Sequence, residues 1–145
     1  VSLLLIDDHL LVRLLAGIPT GRVDTARAGG ALWTTGLWYY RAARAVRSPT
    51  ITGSLSGELA ALPEPLRAQA VQGIVRLPDD VGLLSLREVV PVMAELSLQQ
   101  RLNLLSLEAL SAAVHLRADV AVALENDGPL LREAVSAAGL QYSTV

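Results

Sequence analysis

The chain contains no lysine, no cysteine and no phenylalanine. Each absence removes a class of chemistry. Without cysteine there are no disulfides and no thiolate metal sites. Without lysine there is no Schiff-base amine and no Walker-A lysine. All 12 basic residues are arginine, and Ala, Leu, Val and Arg dominate, a bias expected of a GC-rich bacterial genome. With no phenylalanine, two Trp and three Tyr supply all the aromatic packing. Long hydrophobic runs are missing too. The longest stretch without a charge, 28–40, is broken by Gly and Thr and falls short of the ~18 residues a membrane span needs. The first residues lack the basic segment and cleavage site of a signal peptide. The expectation is a soluble cytoplasmic protein with no membrane partner.

At 145 residues and 52% hydrophobic content, the chain reads as one domain over 1–145 that can bury a core. The net charge of −2 hides an asymmetry. Residues 1–50 carry six Arg against three acids, +3, and residues 51–145 carry six Arg against eleven acids, −5. This is no strongly basic nucleic-acid binder, so any nucleic acid would have to meet a local patch.

The opening stretch, VSLLLIDDHLLVRLL, organises the rest. Residues 2–7 read as a strand buried on both faces, as in parallel sheets, followed by a helix over 9–16. Gly17, Pro19 and Gly21 begin a loop, and 22–30 is polar. A helix is expected over 32–46, stopped by Ser48-Pro49. Another spans 58–75, split by Pro63 and Pro65. A short strand over 81–84, a helix over 87–96 near Pro91, and an apolar helix over 101–116 follow. A second unbroken strand, 120–124, leads to a helix over 129–138 and a last strand, 140–144. Strands alternating with helices predict an α/β fold, a three-layer sandwich around a central parallel sheet.

In such sheets ligands bind beyond the carboxyl ends of the strands. Asp7 and Asp8 follow the first strand. Asp127, in the run Glu125-Asn126-Asp127-Gly128-Pro129, follows the second; it reads either as a partner of Asp7 across the sheet top or as a helix N-cap. Glu108 lies on the most apolar helix and shares a stripe with Arg101 and His115, beside Ser111. A lone carboxylate there is unusual unless it is paired or metal-bound. His9 and His115 have no metal-binding spacing and read as surface or supporting residues. Asp79-Asp80 reads as a solvated turn. Trp38, Tyr39 and Tyr40 beside Arg41, Arg44 and Arg47 form the most nucleic-acid-like cluster, with arginines on one helix face and rings able to stack on bases. The bland reading is rings in the core and arginines in solvent.

Two resemblances rest on these motifs. LLLIDDHLLVR resembles the first strand of a response-regulator receiver domain, whose acidic pair holds Mg²⁺. A receiver also needs a phosphoacceptor Asp and a Lys, but residues 48–57 contain no acid and the chain has no Lys. The second resemblance is to the PIN domain, a family of metal-dependent nucleases that includes toxins of bacterial toxin–antitoxin pairs. LLIDDHLLVRLLAG resembles its opening strand, with Asp7 in the acid position. SLEALSAAVHLRADVAVALENDGPLLREAVSAAGLQYSTV resembles its closing half, with Glu108 at the third acid and Asp127 at the fourth. Together these cover about 55 residues.

The PIN resemblance implies a PIN-like fold and a ribonuclease using Mg²⁺ or Mn²⁺ to activate water against RNA. Asp7, Glu108 and Asp127 would be catalytic, and these three with Asp8 the metal ligands. Arg41, Arg44 and Tyr40 would meet the nucleic acid, and an antitoxin protein would be a partner. The sequence departs from the family at its second acid. No acid lies between Asp24 and Glu58, and Tyr40 or Arg41 occupies the expected place. The rival expectation is therefore a catalytically inactive PIN-like module that binds nucleic acid or protein. The apolar content leaves a third, a homodimer or larger homo-oligomer. If the site is inactive, Arg41 or Arg44 is expected to reach Asp7 or Asp127.

Overall fold

The computed structural model describes residues 2–48 and 50–145. Val1 and Pro49, the latter expected to stop a helix, lie outside the described residues.

Strand β1 is Leu4–Ile6 and leads through Asp7 into helix α1, Asp8–Leu15. Helix α2, Gly21–Ala28, precedes strand β2, Leu32–Thr34, and helix α3, Gly36–Arg47. Then come α4, Ser54–Ala61, and α5, Glu64–Val75, on either side of Pro63. Strand β3, Gly82–Leu83, is followed by α6, Leu86–Leu96, and α7, Leu104–Leu116. Strand β4, Asp119–Val122, ends in a 3₁₀ turn, Leu124–Asn126, before α8, Pro129–Ala137, and strand β5, Tyr142–Thr144.

The five strands form one parallel sheet in the order β3-β2-β1-β4-β5. Leu5 sits opposite Trp33 on one side and Val120 on the other. Alternation along the strands sends side chains to two cores. Leu4, Ile6 and Ala121 join a core with α1, α2, α4 and α5. Leu5, Val120 and Val122 join a second core with α6, α7 and α8. Helix α3 serves both, with Ala42 in the first and Trp38 in the second. The result is the expected α/β three-layer sandwich. Each fully buried Leu or Ile contributes about 1.5–3 kcal/mol to it.

Three expectations need correction. The polar stretch 22–30 is mostly helix α2, anchored where Asp24 Oδ2 accepts the Thr20 N–H at 2.8 Å. The helix expected over 32–46 is a strand and then a helix. Leu32-Trp33-Thr34 is short, and its Trp and Thr are β-prone; Thr35 caps α3 by accepting the Trp38 N–H at 3.1 Å. The stripe of Arg101, Glu108 and His115 does not exist as such. Arg101 precedes α7, whose cap is Asn103; Glu108 is buried, and His115 is exposed. Among the described residues no helix is long and apolar enough to cross a membrane.

Candidate functional site

The parallel arrangement delivers the ends of β1 and β4 to the same edge of the sheet, and Asp7 stands there as the N-cap of α1. Its Oδ1 accepts the Leu10 N–H at 2.9 Å. Its Oδ2 accepts the Ala123 N–H at 2.9 Å and the Asn126 side-chain amide at 2.7 Å. The carboxyl is fully buried. Burial raises its pKa above the ordinary value, and the neighbouring Asp8 charge adds to this, against the lowering effect of its three N–H partners.

Asp8 opens α1 and is also fully buried. Its Oδ1 accepts its neighbour's N–H, from His9, at 2.8 Å and the Asn126 amide at 2.6 Å. Its Oδ2 receives no hydrogen bond. Charge compensates it instead, because the Arg41 Nε stands 3.4 Å away. Arg41 thus reaches the acid pair, as expected of an inactive site, but at Asp8 rather than at Asp7 or Asp127.

The remaining acids are committed elsewhere. Glu108 is nearly buried, and its Oε1 accepts the Leu37 N–H at 2.8 Å. That N–H belongs to the first turn of α3, where the helix dipole favours an anion. This accounts for a buried carboxylate without a metal. Gly36 lies beside the carboxylate, where an added Cβ would stand in ordinary contact, 3.4 Å from Glu108 Oε2. Asp127 does not join Asp7 among the hydrogen bonds of the site. Both its oxygens accept from Arg132 at 2.6 Å, and one accepts from the Tyr142 hydroxyl at 3.0 Å. The 3₁₀ turn after β4 brings Asn126, not Asp127, onto the acid pair. That substitutes a neutral amide donor for the expected fourth carboxylate.

Tested against this donor set, a divalent ion does not fit the acid cluster as it stands. Both Asp7 oxygens already accept hydrogen bonds, Asp127 is paired with Arg132, and the one Asp8 oxygen without a hydrogen bond faces a guanidinium. A resident cation lowers the negative potential a metal would need.

No family model matches the chain, and no curated protein matches its sequence.

The aromatic–arginine cluster divides along α3. Trp38 is in the core, and Tyr39 is half-buried with its hydroxyl on the Ile74 carbonyl at 2.8 Å. Tyr40 is 59% exposed, and Arg44 and Arg47 are exposed. Positions 40, 44 and 47 recur at i, i+4 and i+7, so they share one face. Arg41, Arg44 and Arg47 line a cavity of ≈ 420 Å³ with the loop and first turn of α4, including Thr52 and Ser54.

Sequence reasoning missed a second constellation beside the first. His9, read as a surface or supporting residue, is buried, with both ring nitrogens partnered: Nδ1 to Glu58 Oε2 at 2.7 Å and Nε2 to Ser54 Oγ at 3.1 Å. Arg13 Nε donates to Glu58 Oε1 at 2.5 Å and its Nη2 to Glu125 at 3.1 Å. Burial opposes the charge on His9, but the Glu58 hydrogen bond and the charges of Asp8, Glu58 and Asp7 outweigh it and hold the pKa above the ordinary value. Burial likewise opposes the charge on Glu58, yet its bonds from His9 and Arg13 bring its pKa below the ordinary one. The available signal was helical spacing: His9 and Arg13 are one turn apart on α1, so one acid could serve both.

Proposed function

We propose that the chain is a PIN-like nucleic-acid-binding module in which arginine has taken the place of the catalytic metal. The observation that carries this reading is Arg41 Nε at 3.4 Å from the buried Asp8 Oδ2. The protein's own cation then offsets the acid pair, and the neighbouring Arg44 and Arg47 remain exposed for phosphates. Tyr40 on the same face offers a ring for base stacking. The partner is single-stranded RNA, held through its backbone rather than read by sequence.

A fluorescently labelled oligouridylate and an anisotropy titration test this. Binding should weaken with salt, and Arg44→Ala and Arg47→Ala should each reduce the slope of log K against log salt by about 0.7. The absence of binding at low salt, or slopes unchanged in both variants, would overturn the reading.

A second reading keeps the metal-dependent ribonuclease, acting as the toxin of a toxin–antitoxin pair. One observation favours it: the buried Asp8 Oδ2 accepts no hydrogen bond and could take a cation if Arg41 swung away. Calorimetry with millimolar Mn²⁺ separates the two readings. Heat that disappears in Asp7→Asn, with RNA cleavage that disappears alongside it, would select the nuclease.

A further inference from the structure

Ser54, His9 and Glu58 stand in the order nucleophile, base, orienting acid. A carboxylate can only accept, so the His9 proton lies on Nδ1 toward Glu58. In the neutral ring, Nε2 is then an acceptor, and the 3.1 Å bond runs from the Ser54 hydroxyl to it. Arg13 holds the other Glu58 oxygen and keeps the acid in place. The base is dry and the nucleophile is reachable, since His9 is 1% exposed while Ser54 is exposed.

The surroundings suit acyl chemistry. Ser54 is the first residue of α4; its N-cap, Gly53, has no side chain, and the Ser56 hydroxyl turns back to accept the Thr52 and Gly53 N–H groups at 2.8 and 3.1 Å. The Leu55 and Ser56 N–H groups are among those a helix leaves without internal partners. Such donors stabilise an oxyanion on a carbonyl attacked beside them. The cavity that Ser54 lines is also lined by Arg41, Arg44 and Arg47. Arginines there favour a substrate with a negative charge.

We infer that Ser54, His9 and Glu58 form a catalytic triad that hydrolyses esters whose acyl portion carries a carboxylate. Ser54 Oγ bonds to the ester carbonyl carbon as its proton passes to His9 Nε2. The bond from that carbon to the alkoxy oxygen breaks, and the leaving oxygen takes the proton from His9 to depart as an alcohol. A water, deprotonated by His9, then attacks the acyl-serine. The carboxylic acid leaves, and the proton on His9 returns to Ser54. Glu58 stabilises the imidazolium in both halves without taking its proton. This reading shares Arg44 and Arg47 with the nucleic-acid reading, but Ser54, His9 and Glu58 have no part in that one, so variants of the triad test the hydrolase alone.

The test compares the whole chain on mono-(4-nitrophenyl) succinate and on 4-nitrophenyl butyrate, neutral in its acyl group. The succinate ester should turn over faster, and Ser54→Ala should lower that rate by about 100-fold or more. Glu58→Gln should lower it as well. A second measurement uses the absence of cysteine. Ser54→Cys should react with iodoacetamide at pH 7 at least ~10-fold faster than Thr52→Cys, because only the former thiol is paired with a histidine. Three results would overturn the inference: Ser54→Ala as active as the parent, preference for the butyrate ester, or a thiol at 54 no more reactive than one at 52.

Discussion

The Asn126 side-chain amide donates to Asp7 Oδ2 at 2.7 Å, joining residues 119 positions apart in the chain. The same nitrogen reaches Asp8 at 2.6 Å, so one neutral group serves two buried carboxylates. Removing it leaves both short of a donor. Asn126→Ala should cost about 1–3 kcal/mol in urea unfolding. A loss below the error of that measurement would mean that water replaces the amide without penalty.

Arg41 is the second support of the acid pair. Its side chain is 41% exposed, so Arg41→Met should cost less than breaking a fully buried pair, about 1–2 kcal/mol. Arg41→Glu goes further by placing a carboxylate where the family resemblance expects one. Mn²⁺ should raise the melting temperature of that variant and leave the parent unchanged. If circular dichroism shows Arg41→Glu folded and Mn²⁺ has no effect on it, the position is not what separates this site from a metal site.

Stability should fall as the solution becomes alkaline. His9 has its pKa raised in the folded state. Its contribution is therefore full below the unfolded value, about 6.5, and is lost as pH rises through the folded value. Asp7 is also raised. Its contribution follows the same sign from a lower start, lost as pH climbs above the ordinary aspartate value. Glu58 is lowered, so its contribution is present above the ordinary glutamate value and lost only in acid, as pH falls through its folded value. The melting temperature should accordingly rise as the pH is lowered from ~8.5 to ~6. His9→Gln should flatten that rise. A curve that climbs toward alkaline pH would contradict the assigned directions.

The edge of the sheet makes a purely steric prediction. Trp33 on β2 pairs with Gly82 on β3, and a Cβ at 82 would come within 2.5 Å of the indole. Gly82→Ala should destabilise by about 1–3 kcal/mol through this overlap. An unchanged urea midpoint would show that β3 shifts freely away from β2.

Much of the fold was legible because it lies in periodicity. The unbroken runs of β1 and β4 announced a sheet covered on both faces, and Gly139 marked the end of α8 before β5. Strand β2 was not legible, because only Thr34 and Thr35 separate Leu32 and Trp33 from the aromatic- and alanine-rich start of α3, whose pattern they extend rather than interrupt. The site was harder to read. Asp7 and Asp8 stood out, and Glu108 drew notice as a charge on an apolar helix. The partner of that charge, the Leu37 N–H, is a backbone group with no sequence signature. Asn126 rather than Asp127 meets the acid pair for a geometric reason, because a 3₁₀ turn advances the chain differently from the extended end of a strand. Ser54 and Glu58 carry no mark of a site in the sequence, since their links to His9 span more than forty positions.

Helix α3 keeps Ala42 in one core and Trp38 in the other, while Tyr40, Arg44 and Arg47 face outward. Inheritance therefore acts differently on its two sides. Inward positions answer to two packed layers at once, so few replacements there would survive selection. Outward positions can be rewritten one by one, and each new side chain is presented from the same fixed place. A lineage carrying this fold could exchange what the surface recognises many times over without relearning how to fold.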